Sequence, residues 1–182
     1  VEPGELRALF GHALADGAGP EWQIVERMTL VQMVANDPLP ELDTRAPEFT
    51  SLAEADVDEM LDLVELTRPG PFGTRTIEMG CYIGLRERGR LVAMAGERLA
   101  LPGRVEVRAV CAQPDVRGRG LAATLVHAVA RQIQARGEIP FLHSARESPT
   151  FERAIHLYRA LGFRERREFP LTILLRDAAK GQ

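Results

Sequence analysis

The residues best placed to do chemistry run from Val110 to Ala122, Val-Cys-Ala-Gln-Pro-Asp-Val-Arg-Gly-Arg-Gly-Leu-Ala. An apolar, strand-like start leads into a turn, and Arg117-Gly118-Arg119-Gly120 then opens a helical pattern at Leu121 and Ala122. Glycines at such a junction let the backbone approach a ligand closely, and the first helical turn leaves N–H groups without internal partners. Those donors suit an anion such as a pyrophosphate. The spacing is not a dinucleotide fingerprint, since the third glycine and the following strand with its ribose-binding acid are missing, and no Gly-Lys-Ser/Thr marks a P-loop. On spacing alone, a glycine-rich turn that only caps the helix stays open beside the anion site.

Other reactive side chains are weaker candidates. His12, His127, His143 and His156 are scattered without metal-ligand spacing, so no metal is expected, and His127 and His156 read as surface or packing residues. Cys111 has no histidine partner in sequence and reads as a buried structural thiol. Arg164 to Glu168 alternates charges as a solvated strand face does. Tyr158 lies among Ala154, Ile155 and Leu161, where a core aromatic is its plain reading. Glu106 has Arg98, Arg104 and Arg108 nearby for an ion pair on the sheet surface.

These residues need strands and helices to hold them. Gly11 to Pro20 and the prolines at 38, 40 and 47 punctuate loops, and Trp22 to Val34, with polar Glu26-Arg27 near its middle, predicts two short strands in a hairpin. Residues 1–46 are thus expected to be a strand-rich appendage to a domain over 47–182. A short strand at Phe49 to Leu52 precedes a helix from about Glu54 to Leu66, where Val57, Met60, Leu61 and Val64 keep the spacing of a buried face. The loop from Arg68 to Arg75, rich in Pro and Gly, ends it. Tyr82 to Leu85, Leu91 to Leu101 and Val105 to Ala112 predict three strands with turns at Glu87 to Gly89 and Pro102-Gly103. Leu121, Leu125, Val129 and Ile133 mark a helix to Arg136, capped by Gly137. A strand over Pro140 to His143, a helix over about Thr150 to Leu161 and a strand-rich stretch from Phe163 to Leu175 complete a mixed α/β pattern.

Composition narrows the classes. The chain has 182 residues, 45% apolar and 27% charged, which suits a globular protein and excludes a disordered tail or a disulfide scaffold. With 23 Lys and Arg against 26 Asp and Glu, the net charge of -3 disfavours non-specific nucleic-acid binding. No run approaches the ~18 apolar residues of a membrane span, so no membrane partner is expected. Two cysteines suggest a reducing compartment, read here as the cytoplasm.

Ala154-Ile155-His156-Leu157-Tyr158-Arg159-Ala160-Leu161-Gly162-Phe163, taken with the glycine-rich stretch, resembles the GNAT superfamily of acyl-CoA-dependent N-acetyltransferases. The resemblance covers Phe49 to about Leu175 and includes the order of elements. It implies a mixed, mostly antiparallel sheet flanked by helices, here with an extra N-terminal strand-rich segment, and acetyl-CoA as cosubstrate. It places Arg117, Gly118, Arg119, Gly120, Leu121 and Ala122 at the pyrophosphate, and Val110 and Ala112 on the strand whose main chain pairs with pantetheine. The Val110 N–H would hydrogen-bond the thioester oxygen. Tyr158 falls on the tyrosine that protonates the departing thiolate. Glu106 falls near the glutamate base of the histone-acetylating members once two extra turn residues are allowed, with Glu97 in reserve. His143 ends the strand that splays to admit the cofactor. One departure stands out: the family's usual Asn seven residues before the tyrosine is Phe151 here, with Thr150 or Ser148 as substitutes.

The implied reaction is direct attack of a primary amine on acetyl-CoA in a ternary complex. The competing class is a catalytically silent acyl-CoA sensor, favoured by Phe151 and disfavoured by Tyr158 and Glu106. Acceptor choice is expected in the loop Arg68 to Thr76, where Arg68 and Arg75 attract an anionic group or else pair with Glu65 or Glu78, and Phe72 covers apolar surface. A homodimer is kept as a candidate assembly.

Overall fold

The computed structural model describes residues 6–11, 19, 21–42 and 48–176. His12, Pro47, most of the breaker stretch Gly11 to Pro20 and the expected domain boundary at 46/47 lie outside the described residues. In chain order the strands are β1 (Leu6–Phe10), β2 (Trp22–Val34), β3 (Thr50–Leu52), β4 (Tyr82–Glu87), β5 (Arg90–Leu101), β6 (Arg104–Ala112), β7 (Ile139–Ala145) and β8 (Arg164–Arg176). The helices are α1 (Val57–Thr67), α2 (Leu121–Ala135) and α3 (Phe151–Ala160), with single 3-10 turns at Glu54–Asp56, Thr76–Met79 and Pro114–Val116.

The chain divides into two compact units. One comprises Val34–Leu142 and Leu157–Arg164; the other takes the described residues up to Met33, His143–His156 and those from Glu165 onward. In the first, strand order is β7-β6-β5-β4-β3, antiparallel throughout except for the parallel β6–β7 pair. This is the mixed, mostly antiparallel α/β fold expected. Helices α1 and α2 both pack on β5 and β6. Met60 and Leu63 of α1 are buried with Leu52, Tyr82, Met94 and Cys111. Helix α2 buries Leu125, Val129 and Ile133, the stripe that the sequence marks, together with Val126 and Ala130.

Local chemistry sets the boundaries. Arg68 takes a left-handed conformation (φ 48°) and donates its N–H to the Val64 carbonyl at 2.7 Å, and Pro69 then stops α1. The β4–β5 turn uses Arg88 (φ 51°) and Gly89 (φ 81°), so the two-residue connection has the twist that matches its strands and pairing reaches Glu87↔Arg90.

In the second unit, β1 pairs antiparallel with β8 from Leu6↔Leu175 to Phe10↔Leu171. The hairpin expected within Trp22 to Val34 is instead one strand of 13 residues. Glu26-Arg27 is polar but has none of the Gly, Asn or Asp that a two-residue turn needs, so polarity there marks an exposed strand surface rather than a reversal. His143 joins a network in this unit: its Nε2 is 3.1 Å from the Gln32 amide, and its ring meets Phe169 edge-on at 5.3 Å. Among the described residues no helix is long and apolar enough to cross a membrane.

Candidate active site

The site is built from β6 outward. At its C-terminal end Gln113 is buried, donating its N–H to the Val92 carbonyl at 2.8 Å and its side-chain amide to the Leu91 carbonyl at 2.9 Å. That fixes where the strand ends. Val116 is buried and anchors the turn, whereas Arg117, Gly118, Arg119 and Gly120 are all exposed. Gly118 (φ 81°) and Gly120 (φ 77°) take backbone conformations that side chains resist, and Gly120 directly precedes α2. The first helical bond runs from the Thr124 N–H to the Gly120 carbonyl at 3.1 Å, which leaves the N–H groups of Leu121, Ala122 and Ala123 without helical acceptors. A Cβ at either glycine would meet nothing within 4 Å, so the space beside these donors is open. Main-chain donors, a helix N-terminus and open space together fit a phosphate-bearing group. Arg119 is held to Glu87 at 2.6 Å, and Arg117 Nε lies 3.4 Å from the Ala112 carbonyl.

Farther back, β6 is irregular on both edges. Its pairing with β5 runs Ala93↔Ala112 and Met94↔Cys111, then resumes at Gly96↔Arg108, so Ala109 and Val110 together oppose Ala95. This is a β-bulge, and Ala109 carries it with φ 53°. On the other edge, the parallel ladder with β7 ends at Glu106↔Phe141. Val110 and Ala112 lie beyond that point and are half-buried. A strand edge released from its neighbour is where another extended chain can pair.

The face of β4–β6 toward α1 carries the charged cluster. Tyr82, Gly96 and Arg108 are direct cross-strand partners in one row. The missing side chain at Gly96 makes room for the Tyr82 ring, whose atoms a Cβ there would overlap. Arg98 and Glu106 sit two residues along on the same face. Arg98 Nε donates to Glu106 Oε2 at 3.0 Å, and Glu106 has no exposed surface. The Glu106 partner is thus the Arg98 foreseen, in a buried pair rather than on the surface. Glu97 points to the opposite face, where its carboxylate meets Arg136 at the end of α2 at 2.8 Å. The reserve base is therefore turned away from this cluster.

Tyr158, on α3, is an electrostatic neighbour of Arg108. Burial raises its pKa above the ordinary tyrosine value, and the Arg108 cation opposes that rise in part. Burial likewise pushes Tyr82 up to about 12. Among the described residues the buried Tyr82 hydroxyl has no hydrogen-bond partner. Cys111 is buried beside Thr67 and Met94, with its thiol pushed up to about 11 by burial, which makes it an inert structural thiol.

In the loop after α1, Phe72 meets Tyr82 edge-on at 5.8 Å and packs on the core below. Arg68 is exposed. Arg75 pairs with Glu78 at 2.7 Å, one of the two acids foreseen as its partner. Of the histidines, His127 is a packing residue bound to the Pro40 carbonyl at 2.7 Å, and His156 is exposed. Phe151, in place of the usual Asn, is buried with the Arg146 guanidinium 5.2 Å from its ring centroid. Ser148 and Thr150 hydroxyls lie 3.1 Å apart. Among the described residues no group of three or more His, Cys, Asp or Glu gathers closely enough to hold a metal.

Sequence reasoning did not single out Tyr82, and it treated Arg108 only as a surface counter-ion. A signal existed: the chain has just two tyrosines, and both are electrostatic neighbours of Arg108.

Comparison with known proteins gives three kinds of result. The FR47-like protein family matches residues 82–170. A crystal structure from Novosphingobium aromaticivorans, of a protein assigned to the GNAT family of acetyltransferases, is 38% identical, with a TM-score of 0.86 over 98% of this chain and 77% of that one. A GCN5-related N-acetyltransferase from Kribbella flavida superposes with a TM-score of 0.58 at 20% identity, over 86% of this chain and 60% of that one. The ribosomal-protein-S18-alanine N-acetyltransferase from Escherichia coli gives 0.57 at 19% identity, over 74% of this chain and 97% of that one. The last two likenesses are of fold alone. No curated protein matches the chain.

Proposed function

The chain belongs to the GNAT family of acetyltransferases, and from that premise we propose that it moves the acetyl group of acetyl-CoA to a primary amine by direct attack in a ternary complex. The observation that carries this reading is the open glycine junction at Gly118 and Gly120, with unpaired main-chain donors at the start of α2. When bound, acetyl-CoA supplies an activated acyl group and a thiolate leaving group. Arg117, Gly118, Arg119, Gly120, Leu121 and Ala122 hold its pyrophosphate chiefly through backbone N–H groups. Val110 and Ala112 offer their main chain to pantetheine, and the Val110 N–H steadies the thioester oxygen as negative charge gathers there.

Tyr158 is the general acid. A phenol is protonated at neutral pH, and burial extends that state to higher pH still, so the proton is present for transfer to sulfur. Glu106 takes up the amine proton. Since its side chain has no exposed surface and Arg98 holds it, relay through an ordered water is the route that suits it. Arg68, Phe72 and Arg75 belong to the acceptor wall, with Arg75 exchanging its exposed Glu78 partner for substrate. Free thiols at Cys81 and Cys111 agree with a reducing cytoplasm.

The test is free-thiol release from acetyl-CoA across a panel of amines, alongside heat protection by acetyl-CoA alone. Both are expected. Absence of both overturns the reading, and protection without thiol release from any amine transfers it to the sensor class that Phe151 favours.

A further inference from the structure

Arg108 is a charged group that feels the Glu106 carboxylate electrostatically but has no acceptor in contact with it among the described residues. Its side chain is half-buried, and among the described residues its guanidinium makes no hydrogen bond and no ion pair. Glu106, the nearest acid on its strand, is held by Arg98. A guanidinium carries five donors and stays charged, so withdrawing it from water without an acceptor is costly. The Tyr82 hydroxyl in the same row is buried and lacks a partner among those residues as well.

The surroundings keep this cation toward the acceptor loop. Gly70 lies against it so closely that a Cβ there would sit 2.5 Å from Arg108 Nη2. Along β6, Arg108 stands two residues from Val110 across the bulge at Ala109, which holds the two to no more than about 7 Å of backbone. That separation suits a small molecule whose amine reacts near Val110 while a group a few bonds away reaches the guanidinium. One unpaired fork with a neutral phenol beside it balances a single negative charge. A planar carboxylate matches it in charge and shape, whereas a phosphate dianion would call for a second free cation.

We infer that Arg108 is the acceptor-binding residue and that the acceptor is a short amine bearing a carboxylate, an amino acid or close relative. The inference rests on the transfer reaction proposed above. It moves the anion contact from the exposed Arg68 and Arg75 to the sheet beneath their loop.

The experiment measures kcat and KM for a set of amino acids and for the same amino acids as primary amides, in the wild type, Arg108→Gln and Gly70→Ala. Heat protection by acetyl-CoA serves as the control for folding and cofactor binding. The wild type is expected to prefer the free acid by about 10- to 100-fold in kcat/KM, the range of a hydrogen bond to a charged group. Arg108→Gln should bring that ratio near one, chiefly by raising KM for the acid, with acetyl-CoA protection kept. Gly70→Ala leaves the charge in place but displaces it, and should lower the same ratio; it also decides the matter should Arg108→Gln not fold. Equal use of acids and amides by the wild type, or an unchanged ratio in a folded Arg108→Gln variant, overturns the inference while transfer to uncharged amines leaves the enzyme reading intact. Loss of both acetyl-CoA protection and all thiol release overturns the two together.

Discussion

The glycine junction and the charged face of β4–β6 lie on the same few strands, yet they are built on opposite principles. At Arg117 to Gly120 the backbone is exposed, side chains are dispensable, and the space outside is open. At Tyr82, Arg98, Glu106 and Arg108 the polar groups are side chains drawn from three strands, packed so closely that the Tyr82 hydroxyl is buried with no hydrogen-bond partner among the described residues. A main-chain site accepts the part of a ligand that every cosubstrate molecule shares. A side-chain site discriminates, because each unpaired group rejects a ligand that cannot satisfy it.

The largest expected effect is at Tyr158, the electrostatic neighbour of Arg108 on α3. Tyr158→Phe should lower kcat by ~10²-fold with acetyl-CoA affinity unchanged, since only proton donation is lost. In the wild type, burial holds the phenol protonated past its ordinary pKa, so the alkaline fall in kcat should lie above about pH 10. A fall centred well below that value would show that another group is the acid.

Next in size is a substitution in the open region. Gly120→Val forces a side chain into left-handed backbone at φ 77°, a strain of about 1–2 kcal/mol that leaves a protein of ordinary stability folded. Its methyl groups would enter the space assigned to the pyrophosphate. Heat protection by acetyl-CoA should therefore vanish while the unliganded protein still unfolds cooperatively, and retained protection would break the contrast between backbone and side-chain recognition.

The smallest effect, and the sharpest in sign, belongs to the crowded region. Tyr82→Phe removes a buried hydroxyl that has no partner among the described residues. It should raise the melting temperature of the unliganded protein by a few degrees, because desolvating such a group costs about 1–3 kcal/mol. A lowered melting temperature would mean that the hydroxyl is satisfied in solution.

The same contrast explains what could be read from the sequence. Helix α2, its Gly137 stop and the glycine junction are local patterns, with every signal inside some twenty residues, and they appear where expected. Trp22 to Val34 misled because polarity alone resembles a turn when one surface of a long strand is exposed. Arg108 and Tyr82 escaped notice because their meaning depends on register: Tyr82↔Gly96↔Arg108 spans 26 residues of chain and hinges on one missing side chain. Glu97 and Glu106 look equivalent in sequence, and only the pairing sends one to Arg136 and the other to Arg98.

The bulge at Ala109 has a bearing on how this chain can change. Met94 and Gly96 share a face, so their partners Cys111 and Arg108 do too, though they stand three positions apart. The strand therefore runs in two phases, like a zip with one doubled tooth. Excising that single alanine would yield a more regular ladder, with Cys111 opposite Met94, Val110 opposite Ala95 and Arg108 still opposite Gly96, so Arg108 and Glu106 would keep their face while the bend that the bulge puts into the strand beside Val110 would be lost. A tidier strand would thus be a straighter one, and lineages or libraries that lose a residue between Arg108 and Cys111 should keep the fold's outline and the Arg108 face while altering the strand edge at Val110.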